Sequence, residues 1–171
     1  NYKLITFNDV YNKDACIFPK SITSPHGDTS MVMLHRPLFP GTTPEDIMCD
    51  NEDRRIRDHH ECIWISYSDM MLNGNKAEHL QEFESNSPLA LPEADWEKIK
   101  IGAGTPPVMC RHGWLVIYHG VHQTLPVNNE PHHLVYSAGL MILDKDHPDK
   151  ILYRSASPVL KPELLEERVG I

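Results

Sequence analysis

The sequence has no C-x-x-C pair, no long apolar run and no sustained helical periodicity. Its longer apolar runs, such as residues 114–118, fall far short of the roughly 20 residues a membrane-spanning helix needs. Positive charge is also in deficit: 16 Lys and Arg stand against 24 Asp and Glu, for a net charge of -8. Nucleic acid and anionic membrane surfaces would both repel such a protein, so neither is expected as a partner. The four cysteines, Cys16, Cys49, Cys62 and Cys110, fit a reduced cytoplasmic protein, with a Cys49–Cys62 disulfide as the alternative. The chain opens at Asn1 rather than at methionine, so the lack of a visible signal peptide excludes nothing.

Zinc-type ligand spacing is missing as well. His59, His60, Glu61 and Cys62 cluster, and His132 adjoins His133. Neighbouring side chains of an extended segment point to opposite sides, however, so no metal site is expected. No G-K-[ST] follows the glycines near residue 102, which excludes a Walker loop. No Ser-His-Asp or Cys-His signature stands out, and carboxylates such as Asp14 and Asp144 cannot be paired by spacing.

Fourteen prolines and nine glycines punctuate short apolar runs. Strands are expected over residues 3–7, 15–18, 30–35, 62–67, 107–110, 113–121, 133–143 and 151–154. In 113–121, Trp114, Val116 and Tyr118 alternate with Leu115, Ile117 and His119. Both faces are apolar, which predicts packed sheets on both sides. Residues 41–61 and 75–95 read as polar connections, and Pro162 opens a short helical turn through "ELLEERV". The class is all-β. A weak repeat refines it: "MVMLHRP" is followed by "CIWISYSDMML", and "WLVIYHGV" by "HLVYSAGLMILD". Such units suit the blades of a propeller and leave a sandwich open.

Corresponding strand ends of two blades converge on one face. That would bring Arg36 of "LHRP" near His119 of "YHG", with Lys100 and the glycines of "KIGAG" beside them. Three cationic donors without an acidic neighbour in these motifs suit a phosphate or carboxylate ligand. Glycines 102 and 104 would turn backbone amides toward the same anion, and Tyr136 would add a hydroxyl. A plain turn at the glycines and a core role for His119 are the competing readings.

The segments "NKDACIFPKSI", "MLHRP", "IWISYSDM", "DWEKIKIGAGTPPV", "GWLVIYHGV" and "YSAGLMILDKDHPDKILYRSASPVLKPE", in that order, resemble glycoside hydrolase family 130. These are the β-mannoside phosphorylases and related β-mannosidases. The resemblance runs from about residue 12 to residue 167, and "KIGAG.PP…GWL.IYHG" is its most specific part. It implies a five-bladed β-propeller, of which residues 1–171 form a partial domain covering roughly half, without the N- and C-terminal blades. By resemblance Arg36, Lys100, His119 and Tyr136 are phosphate ligands, and Asn12 a lesser contributor. Tyr11 stands where some members carry a basic residue, and "YSDM" lacks the proline usual in that segment.

The implied activity is inverting phosphorolysis of β-mannosides, with inorganic phosphate as co-substrate, no cofactor, and mannose 1-phosphate as product. The implied general acid is an aspartate from a segment outside this chain. A homo-oligomer, or association with the missing part of the propeller, is expected. A hydrolase of the same family and a non-catalytic carbohydrate-binding remnant are the alternatives.

Overall fold

A computed structural model describes residues 11–38, 61–69, 83–124, 133–164 and 167, and these build two antiparallel sheets. The first holds β1 (Tyr11–Ile17), β2 (Ile22–Thr23), β3 (Thr29–Leu38), β4 (Ile63–Asp69) and β5 (Glu84–Ala90). Its order is β1-β3-β4-β5, with β2 beside β3. The second holds β6 (Lys100–Ala103), β7 (Val108–Cys110), β8 (Gly113–Gln123), β9 (Leu134–Leu143) and β10 (Ile151–Arg154). Its order is β6-β8-β9-β10, with β7 beside β8. The sheets therefore repeat each other strand for strand. Both halves of the sequence repeat fall on the second and third strands of a sheet, paired as β3 with β4 and β8 with β9.

Alternation explains how each strand seats itself. On β8, Trp114, Val116 and Tyr118 are buried, whereas Ile117 between them is 40% exposed. Within this chain the strand is dry on one side and partly open on the other. One continuous core joins the sheets, containing Phe18, Val32, Leu34, Ile63 and Ile65 from the first and Ile101, Trp114, Val116, Met141 and Leu143 from the second. Phe18 meets Trp114 edge-on at a centroid distance of 5.1 Å. Each fully buried aliphatic side chain of this kind contributes roughly 1.5–3 kcal/mol.

Two polar fixtures hold the fold, the first of them between the sheets. The peptide of Ile101 is held from both ends: its N–H donates to Glu61 O at 3.2 Å, and its carbonyl accepts from Arg36 Nη1 at 3.5 Å. The second fixture is the buried carboxylate of Glu97, in a single 3-10 turn at Asp95–Glu97. Arg154 Nη2 donates to it at 2.8 Å, Tyr118 Oη at 2.9 Å, and the backbone amides of Glu93 and Ala94 at 3.1 and 3.2 Å. Burial pushes the Tyr118 hydroxyl up to about 12, against the opposing pull of Arg154, so it stays a donor. Trp96 of the same turn lies on β8 and β9 where both lack side chains. A Cβ at Gly120 or Gly139 would stand 2.6 Å from its ring.

Two segments not expected as strands form them. Polar "ESNSPLA" forms β5, the outer strand of its sheet, where Pro88 is tolerated and pairing with β4 outweighs weak propensity. "KIGA" forms β6, not a loop. Past Pro162, the Glu167 carboxylate accepts the amides of Glu163 and Leu164, which closes a short turn. The strand expected at 3–7, the connection before Glu61 and Cys49 lie outside the described residues. Cys16 and Cys62 are buried thiols, each pushed up to about 11 by desolvation.

Replacing Glu97 with Ala should leave the Arg154 guanidinium with only the exposed Glu93 carboxylate at 3.7 Å as a counter-charge and cost about 3 kcal/mol, read as a lower midpoint in urea denaturation.

Candidate anion site

Arg36 lies near the end of β3, opposite Lys13 of β1, and is only 5% exposed. Lys100 opens β6, pairing with Val121, and His119 faces Gly102 across the same ladder. Tyr136 pairs with Val121 from the other side, on β9. The ladder therefore brings Lys100, His119 and Tyr136 to one end of the second sheet, and the junction of the sheets adds Arg36.

Measured contacts show how tightly they meet. Arg36 Nη2 is 3.1 Å from Asp14 Oδ2, and His119 Nε2 is 3.7 Å from the same oxygen. Glu61 Oε2 stands 3.7 Å from Lys100 Nζ and 4.0 Å from Arg36 Nη1. The His119 and Tyr136 rings are tilted against each other at a centroid distance of 5.8 Å. A cavity of about 330 Å³ opens beside them, lined by His119, Tyr136, Ser137, Leu160, Lys161 and Glu167 among others.

The cationic residues thus gather, but not without acidic neighbours. Asp14 and Glu61 stand among them, and with His119 neutral the charges of Arg36 and Lys100 are formally balanced. Burial lowers the pKa of His119, and Arg36 and Lys100 lower it further; only Asp14 opposes them. The site is close to neutral until an anion or a proton enters.

The glycines act differently from the expected amide cradle. Gly104 N–H donates to Ile117 O at 3.0 Å, as part of the sheet. Gly102 is required by crowding, since a Cβ there would lie 2.1 Å from Asp14 Oδ2 and 2.6 Å from His119 Cε1. Gly120 leaves room for Trp96, not for a ligand above His119. Asn12 is turned to His35, whose Nδ1 lies 2.8 Å from its Oδ1, while Ser66 Oγ meets the opposite ring nitrogen at 2.5 Å. Asp14 and Glu61 are the residues that spacing did not reveal. Asp14 follows Asn12 by two positions, but nothing in a lone Asp announces a bulge that aims it inward.

Two paired propeller-type sheets with a charged cluster at their junction define a class, and comparison with known proteins specifies it. The family described as beta-1,4-mannooligosaccharide phosphorylase, glycoside hydrolase family 130, matches residues 1–171. This chain belongs to that family, and its two sheets are blades of the five-bladed β-propeller architecture. It is 31% identical over 163 residues to a 1,2-beta-oligomannan phosphorylase of a Thermoanaerobacter species, covering 95% of this chain and 40% of that protein. It is 32% identical over 160 residues to a beta-1,4-mannooligosaccharide phosphorylase of Ruminococcus albus, covering 94% and 37%. The solved beta-1,2-mannobiose phosphorylase of Listeria innocua superposes with a TM-score of 0.56 at 26% identity, over 90% of this chain and 33% of that one. The chain spans about two fifths of the length of the curated relatives it matches.

Because the folded protein disfavours a charged His119, the unfolded state binds more protons at mildly acidic pH. The neutral ring's contribution to stability is therefore complete above its ordinary value of 6.5 and fades as pH falls toward the depressed folded one. Denaturation midpoints measured from about pH 7.5 down to about pH 5 should drop more steeply in the wild type than in His119→Asn.

Proposed function

We propose that the protein containing this chain catalyses inverting phosphorolysis of β-mannosides, releasing mannose 1-phosphate. Inorganic phosphate is the co-substrate, no cofactor takes part, and Arg36, Lys100, His119 and Tyr136 are its ligands. The observation that carries this reading is the convergence of those four side chains, from three strands of one sheet and one of the other, at a single junction. The phosphorylase names of the relatives support it, as does the extent of the family match.

A phosphate nucleophile carries up to two negative charges, and each unit charge at about 4 Å is worth about 4 kcal/mol at the effective dielectric of a protein surface. One lysine would leave much of that uncompensated. Arg36 presents a planar fork and Lys100 a point charge, while Tyr136 and His119 donate from the opposite side of the ladder. Asn12 is a peripheral contributor. Its carbonyl is engaged by His35, so its amide nitrogen is the group that would donate to an oxyanion. Held in this way, a phosphate oxygen attacks the anomeric carbon from one face. A general acid from outside this chain protonates the departing glycosidic oxygen on the other, which inverts the configuration.

The β-mannoside oligosaccharide would extend from this junction into the neighbouring cavity. The rest of the propeller, in a homo-oligomer or otherwise associated, would complete its walls. A cytoplasmic setting accords with the free thiols of Cys16, Cys62 and Cys110.

Assay of the full-length protein on β-mannosides tests the reading. Mannose 1-phosphate should form only when phosphate is supplied, and free mannose released equally without phosphate would identify a hydrolase instead. Lys100→Ala should retain its circular dichroism spectrum and lose about 100-fold or more in kcat/KM for phosphate, the scale on which a direct oxyanion contact counts.

A further inference from the structure

Asp14 has a costly placement. Among the described residues it is the one non-glycine with a positive φ, at 54°. That is the left-handed region, which Asp tolerates better than most residues but does not prefer. A bulge between Lys13 and Cys16 breaks the β1–β3 ladder around it. Its Oδ2 is buried without a well-formed hydrogen bond, although Arg36 Nη2 is only 3.1 Å away. Gly102 clears the space it occupies, since any side chain there would run into that oxygen. Three separate local irregularities serve one carboxylate. Strain concentrated in this way marks a position that a function maintains.

The surrounding charges show what that function is. Arg36 comes from β3, Lys100 from β6 and Glu61 from just before β4, while Tyr136, Lys161 and Glu167 line the cavity that His119 shares. Burial disfavours a proton on His119, and Arg36 and Lys100 repel it further. Asp14 touches the two groups most in need of an anion, the Arg36 fork and the imidazole. Glu61 is different: a third exposed, it stays 3.7 Å or more from both of its cations, where solvent screens it.

We propose that Asp14 is a positioning residue of the anion site: it fixes the Arg36 guanidinium and keeps His119 able to hold a proton when the oxyanion binds. The proposal rests on the phosphate reading given above. An added carboxylate also repels phosphate, so the two effects oppose each other, and they separate with pH. Where His119 is already protonated, losing Asp14 mainly removes repulsion. Where the ring depends on Asp14 to acquire its proton, losing the carboxylate weakens binding.

The test compares full-length wild type with Asp14→Asn and Asp14→Gly. Asparagine keeps the shape and the tolerance of left-handed backbone, and glycine adopts that backbone without strain, so at least the second variant retains the fold. His119 is titrated by NMR with ¹³C-labelled histidine, its signal assigned by its loss in His119→Asn. Inorganic phosphate affinity is measured by calorimetry from about pH 5.5 to about pH 8, across the imidazole range. Both variants should titrate His119 at lower pH. At the alkaline end they should bind phosphate about tenfold more weakly, the scale of a charged hydrogen bond, with the deficit vanishing at the acid end. KM for the mannoside should not change. An unmoved His119 titration, or wild-type phosphate affinity in both variants at every pH, would reduce Asp14 to a backbone role and overturn the proposal. Should the wild type bind no phosphate, the phosphorylase reading fails, while the NMR comparison still decides whether Asp14 controls His119.

Discussion

Cations of like sign can be packed together only if something holds them against their own repulsion. At the junction of the two sheets that constraint falls on Arg36, Lys100 and His119, and it is met by Asp14 within the group and Glu61 at its margin. Burial, and after it the repulsion of Arg36 and Lys100, depresses the basicity of His119. An oxyanion bound there would relieve the same repulsion, as the proposed phosphate ligand requires.

The fold delivers these groups by repetition. Each sheet carries one of these groups on its second strand, Arg36 on β3 and His119 on β8. β6 then leans on the first sheet, and the Ile101 peptide ties Glu61 and Arg36 to it. Behind the site, Glu97, Arg154 and Tyr118 form a satisfied buried network, and Trp96 fills the space left by Gly120 and Gly139. Packing on one side of β8 thereby fixes the direction of His119 on the other.

Much of this was legible beforehand. Short apolar runs located β3, β4, β8 and β9, and the weak repeat joined the segments that pair as β3 with β4 and β8 with β9, because burial against a common core imposes that pattern. β5 and β6 escaped notice for physical reasons. The first is a polar outer strand held by pairing to β4, and the second contains Gly102, which crowding demands although glycine ordinarily signals a turn. The gathering of Arg36, Lys100, His119 and Tyr136 was expected; the acidic company was not. Asp14 reaches the site through a bulge and a left-handed backbone, and neither leaves a periodic trace in the sequence.

A crystal structure of the full-length protein with inorganic phosphate tests the central claim most directly. The account predicts one phosphate at the junction, within hydrogen-bonding distance of Arg36, Lys100, His119 and Tyr136 together. Phosphate bound elsewhere, with these four side chains still paired only to Asp14, Glu61 and one another, would contradict it.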